Sequence, residues 1–502
     1  MRNRLLWILW IAATLALAGV AFARLYVGGD RSAFLPGETA GVHHQIELAC
    51  ETCHTSKPFA SQAKIRKDIN KTCVSCHKEE LKTANDSHPI KKFKNPRMAA
   101  YWDKVDARFC TSCHLEHQPE LAAPGLVTLP GDFCVACHST GDQDVRKNRP
   151  THADLTFDTC ASSGCHNYHD NRALYEDFLI KHADQPWLAD TPVHGPGVLA
   201  RARPRPDADE ITAYLAQIPA QIPAGLVTLD RDPDIDAHWA ASAHAAADVG
   251  CADCHAPKSD TPEQIEANWV AAPAEKVCAS CHKSQAKTFA LGRHGMRRHP
   301  ELAKPRKAKK MLKRLGIEAP SDSLIALTES FLADATPPGQ MSTSDARVDL
   351  HDDLPAHDLT CSTCHDPHEQ DLAKAAVDAC LSCHADEHSQ SYLDSPHHAL
   401  WQAELAGDLP PGSGVTCATC HMPQSEKRGE VTTSHNQSDT LRPNEKMIRP
   451  TCLSCHSLAF SIDALADPAL VQSNFQGQPH RHVDSIDWAT SRVDQPEKGA
   501  NQ

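Results

Sequence analysis

Cys50-Glu-Thr-Cys53-His54 opens the series of motifs that decides how this chain folds. The same C-x-x-C-H spacing returns at Cys73/Cys76/His77, Cys110/Cys113/His114, Cys134/Cys137/His138, Cys251/Cys254/His255 and Cys278/Cys281/His282. It continues at Cys361/Cys364/His365, Cys380/Cys383/His384, Cys417/Cys420/His421 and Cys452/Cys455/His456. A looser eleventh site, Cys160-Ala-Ser-Ser-Gly-Cys165-His166, takes the last two of the 22 cysteines. Two thiols at this spacing add across the two vinyl groups of one haem, and the adjacent imidazole falls onto the iron. Zinc sites and redox dithiols also use C-x-x-C, but neither needs a histidine after every second cysteine.

The motifs therefore describe a multihaem c-type cytochrome with eleven covalently attached haems c. In the longer eleventh site, Gly164 lets the chain fold back between the two thioether positions. The other reading of that site, an unrelated thiol pair, would strand two free cysteines in an oxidising compartment.

The chain has 502 residues, enough for several ordinary domains, yet only 5% are aromatic. Eleven large apolar macrocycles would fill the missing core, and their attachments would restrict the unfolded chain as cross-links do. The expected fold is mainly α with long loops wrapped around haems, and little or no β-sheet. The formal net charge is −14, and the haem propionates add to it. That balance disfavours nucleic acid and suits redox proteins with basic docking surfaces. A basic stretch from Arg293 to Arg314 runs against the trend and reads as a solvated helix flank or a docking patch.

Arg2 and Arg4 precede an uncharged apolar run from Leu5 to Ala23. About 18–20 such residues span a bilayer. Ala21-Phe22-Ala23 also fits a signal peptidase site. Residues 1–30 thus read as a signal sequence or a retained membrane anchor, with the anchor favoured by the length of the run. Either outcome puts the haem region outside the cytoplasm, in the periplasm or on the periplasmic side of the inner membrane.

Five motifs lie between Cys50 and His166 and six between Cys251 and His456, separated by a proline-rich stretch. The expected division is a five-haem domain at 31–184, a connector at 185–235 with short helical pieces such as Glu210–Gln217, a six-haem domain at 236–490, and a disordered tail at 491–502. Within the first group, the motifs at Cys50 and Cys73 return at nearly the same interval as Cys110 and Cys134, so a two-haem unit is repeated.

Residues 43–182 resemble the class III (tetrahaem-type) cytochromes. The likeness lies in the compact motif spacing, the longer site at Cys160, and a histidine three residues past a motif, in His114-Leu-Glu-His117 and His166-Asn-Tyr-His169. Residues 236–490 resemble the octahaem cytochromes related to hydroxylamine oxidoreductase. That likeness rests on Trp239-Ala-Ala-Ser-Ala-His244, Ser395-Pro-His397-His398-Ala-Leu-Trp401 and Ser434-His435-Asn436, although six motifs stand here instead of eight.

Function turns on the face of each iron opposite its motif histidine. A second protein ligand gives an electron-transferring haem, whereas an open face permits substrate chemistry. Of 32 histidines, eleven are in motifs, and only seven methionines are present. His44, His88, His117, His152 and His169 are the favoured second ligands in the first group, with His43 and His182 as rivals. In the second group they are His244, His294, His357, His368, His397 and His435, with rivals His238, His299, His351, His388 and His398. His480 and His482 read as surface residues.

Two imidazoles per iron suit electron relay between a quinol-linked membrane donor and a periplasmic or outer-surface acceptor. The alternative is an oxidoreductase with one open-faced haem acting on hydroxylamine, nitrite or tetrathionate. No C-x-x-C-K motif occurs, and tyrosines number six. Tyr214 and Tyr392 would be the candidates for a haem cross-link in the octahaem manner. A third reading is assembly into an extracellular haem filament.

Overall fold

Nearly every motif closes one helical turn. The histidine N–H donates to the first cysteine's carbonyl in His54→Cys50 (2.8 Å), His114→Cys110 (3.0 Å), His282→Cys278 (2.9 Å), His384→Cys380 (2.9 Å) and His456→Cys452 (2.8 Å). Residues i and i+3 of such a turn share a face, so both sulfurs meet one macrocycle. Capping starts several of these turns. Thr360 N donates to Thr363 Oγ1 (2.9 Å), Thr416 N to Thr419 Oγ1 (3.0 Å) and Gly250 N to Asp253 Oδ2 (2.8 Å).

The computed structural model describes residues 2–26, 35–57, 59–84, 86–121, 127–139, 167–170, 174–190, 206–222, 233–302, 307–314, 317–334, 339–427, 430–441 and 444–493. Cys160, Cys165, His166, His152 and residues 494–502 lie outside them. Among the described residues the protein is mainly α, with short helices and 3-10 turns. Its one sheet is an antiparallel hairpin, Gln424–Lys427 with Glu430–Thr433, in the register Gln424 to Thr433.

The Arg2–Tyr26 helix exposes Leu5, Trp7, Ile8 and Leu17. It is the one described helix long and apolar enough to cross a membrane.

Two compact units follow, and their division differs from the sequence expectation in three places. Met296–Met341 folds with the first unit. There the Arg297 Nε donates to the Gln45 carbonyl (2.8 Å), beside the His44–Ile46 turn. Residues 174–184 fold with the second unit, because Leu174 and Leu179 are buried against Ile448, Leu458, Ile462, Ile486 and Ala489.

The connector expected at 185–235 contains a helix, Ala208–Gln221, whose Asp207 cap accepts from Asp209 N (3.0 Å) and Glu210 N (2.9 Å). Its Ile218 is buried with Trp239, Ala240 and Ala245, so this piece belongs to the second unit's core.

The first unit has little apolar core. Its long helix, Gln62–Thr83, is capped by Ser61 and buries no residue. Polar and cation–aromatic contacts hold its neighbours: Asn70 Oδ1 accepts from Cys110 N (2.7 Å), and the Arg66 guanidinium lies 4.2 Å from the Phe109 ring centre.

Candidate haem sites

All ten C-x-x-C-H histidines face one histidine from outside the motifs. In the first unit the ring centres stand 5.8 Å apart for His77 and His43, 6.4 Å for His54 and His117, 6.4 Å for His114 and His169, and 6.1 Å for His138 and His88. In the second unit the spacing is 6.2 Å for His255 and His368, 6.1 Å for His282 and His244, and 6.1 Å for His365 and His435. It is 6.2 Å for His384 and His294, 6.1 Å for His421 and His388, and 6.2 Å for His456 and His397.

This recurring gap has room for a single atom between the rings. A metal–imidazole bond is about 2 Å and the nitrogen lies about 1 Å from its ring centre, so two rings on opposite faces of one iron stand about 6 Å apart. The angles between ring planes range from 6° for His255/His368 to 83° for His88/His138. Such scatter is expected of rings free to turn about a common axis. The residues present therefore fit bis-histidine haem.

Burial keeps many of these rings neutral, the form that binds a metal. It lowers His54, with the facing His117 adding to the effect, and pushes His294 and His421 down to about 4. The outer ring nitrogens are held. His88 Nδ1 donates to the Tyr168 carbonyl (2.7 Å), His117 to Gly37 (3.1 Å), His255 to Val270 (2.7 Å) and His388 to Val471 (2.5 Å). Such partners fix ring orientation and tautomer.

Of the favoured second ligands, His88, His117, His169, His244, His294, His368, His397 and His435 each face a motif ring. Two do not, among the described residues. His43 stands opposite His77, while the His44 Nδ1 turns to the Gly41 carbonyl (2.9 Å). The difference is made by Glu116, whose Oε1 accepts from His43 Nδ1 at 2.8 Å. His388 stands opposite His421, and His357 instead donates from Nδ1 to the Pro355 carbonyl (2.9 Å). His388 lies one helical turn past His384, in Glu387–Ser391, a spacing that was readable in the sequence.

Successive motifs also meet through their thiols, which stand where thioether sulfurs would be after attachment. Cys73 is hydrogen-bonded to Cys110, Cys278 to Cys361 and Cys380 to Cys417. Burial and then Cys278 and Cys281 raise the Cys254 thiol; burial and then Cys380 and Cys383 raise Cys364 to about 11; burial and then Cys452 raise Cys420 to about 12. In the second unit the described sites thus follow one another in space in chain order.

Comparison with known proteins agrees with two parts. Residues 42–139 match the family described as cytochrome c3, and residues 227–311 match the family described as cytochrome c552. No curated protein and no solved structure matches.

Proposed function

This chain is a multihaem c-type cytochrome with a cytochrome c3 part and a cytochrome c552 part, and from that premise we propose that it relays electrons outside the cytoplasm through eleven covalently bound haems c. Its donor would be a quinol-linked membrane partner and its acceptor a periplasmic or outer-surface redox protein. The observation that carries the reading is the pairing of every C-x-x-C-H histidine with a second histidine at about the separation one iron requires.

Haem c, when bound, supplies a one-electron ferric/ferrous couple. The chain's own residues do the rest. The cysteines would fix each macrocycle, and the two histidines of each pair would hold the iron between them, excluding water and substrate. The adjoining attachment cysteines of successive motifs would bring neighbouring haems close together, which favours transfer along the chain. The apolar Arg2–Tyr26 helix supports an anchor at the periplasmic side of the inner membrane.

The competing reading, one open-faced haem acting on a small nitrogen or sulfur compound, needs an iron with a single protein ligand. Electron paramagnetic resonance of the oxidised protein, with carbon monoxide titration of the reduced form, separates the two. Relay predicts low-spin signals alone and no stoichiometric carbon monoxide binding. A high-spin ferric signal with one bound carbon monoxide per chain would overturn it.

A further inference from the structure

Both rings of the site between His43 and His77 are held from behind by carboxylates, whereas in the His114/His169 site only His169 is, through Asp86 Oδ1 at 3.0 Å. His77 Nδ1 lies 2.5 Å from Glu80 Oε2, and His43 Nδ1 lies 2.8 Å from Glu116 Oε1. With Nδ1 engaged by a carboxylate, Nε2 is the nitrogen left for the metal, and Nδ1 carries the donated hydrogen. Both axial imidazoles of this one site therefore lean on carboxylates.

The adjoining site differs. His117 Nδ1 donates to a neutral carbonyl, that of Gly37 (3.1 Å), and the groups acting on His54 are its own burial and His117. The two sites are close neighbours: after burial, Glu116 and then Cys76 raise the Cys53 thiol, so Glu116 is felt at both sites and Glu80 is the carboxylate that separates them.

The carboxylates are well placed to act on the rings. Glu80 lies one turn after His77 on the Gln62–Thr83 helix, so their spacing is fixed by the helix. Glu116 reaches His43 from the loop between His114 and His117. Its Oε2 is buried, and after burial the group acting most on its carboxylate is His43, ahead of the Ala40 backbone and His114. A carboxylate accepting from a ligand imidazole raises the ring's basicity, and a more electron-rich ligand stabilises the ferric over the ferrous state. The negative charge acts in the same direction.

We propose that Glu80 and Glu116 are potential-setting residues, making the His43/His77 centre more reducing than the adjoining His54/His117 centre. The step between them then runs downhill from the former to the latter: one electron leaves the His43/His77 iron, which is oxidised, and reduces the His54/His117 iron, with no other co-reactant. The inference rests on the bis-histidine reading above.

The test is a spectroelectrochemical titration of the fully haem-loaded protein, with paramagnetic resonance following individual low-spin signals. His43→Met tags the component in question, because methionine ligation raises a haem potential. Glu80→Gln and Glu116→Gln should each move that same component upward, by about tenfold in its reduction equilibrium, about 59 mV for one electron. The double variant should move it further, and Glu80→Asp, which keeps the charge, should move it less than Glu80→Gln. Glu80 is on an exposed helix face, so its variants should mature normally. An unchanged titration in low-spin, fully loaded variants, or a shift at a component that His43→Met does not tag, would overturn the inference alone. A high-spin haem already present in the parent protein would instead overturn the relay reading.

Discussion

The thiols of Cys278 and Cys361, which begin successive motifs, are hydrogen-bonded to each other although a long stretch of chain separates them. Cys380 with Cys417, and Cys73 with Cys110, repeat the relationship. Once haem is attached, these sulfurs belong to two different macrocycles, so attachment edges of neighbours adjoin. A one-electron carrier benefits from such contact because each transfer crosses a short gap between adjoining sulfurs.

Intact mass after maturation should correspond to eleven haems. A preparation that saturates at ten, with two alkylatable thiols mapping to Cys160 and Cys165, would remove the longer site from the count.

Replacing His43 by alanine should convert one low-spin haem to a high-spin, carbon monoxide-binding one. A variant whose haems all stay low-spin would remove His43 from the ligand set.

Glu404 is buried, and its carboxylate accepts from Gly412 N (3.0 Å) and Gly414 N (2.6 Å). Glu404→Ala strands two buried N–H groups and should cost about 2–4 kcal/mol. The check is a lowered unfolding midpoint with the haem content unchanged.

His482 is pushed up to about 9, first by its hydrogen bond to Asp463 and then by Asp487. A raised folded value stabilises fully below the unfolded value, about 6.5, and the contribution disappears as pH rises through about 9. The ring is largely exposed, so the effect is small. Melting temperatures of the parent and His482→Gln should differ at pH 6 and converge by pH 10; an equal difference at both would refute the linkage.

The mature protein should fractionate with membranes and need detergent for release. An N-terminal sequence that begins at Arg24 would show a cleaved signal instead.

The attachment sites were legible because their chemistry is local: two thiols and an imidazole within one helical turn. The mainly α character followed from the same turns and the shortage of aromatic residues. Opposite-face partners are set in three dimensions, and there the sequence was ambiguous. Between His43 and His44 the deciding group is Glu116, far along the chain. His294 meets His384 across an intervening motif, a distance no spacing rule reaches. The placement of Met296–Met341 in the first unit was equally unreadable, since it depends on Arg297 meeting a backbone carbonyl at Gln45.

The Gln62–Thr83 helix, long yet without a buried residue, carries a consequence for biogenesis. A helix with no apolar seat in the polypeptide gains one only from a prosthetic group, so folding of the first unit is coupled to covalent maturation much as zinc fingers are to zinc. A chain left unmatured is an open substrate for proteases. On that coupling, the amount of folded protein would follow iron and porphyrin supply after translation.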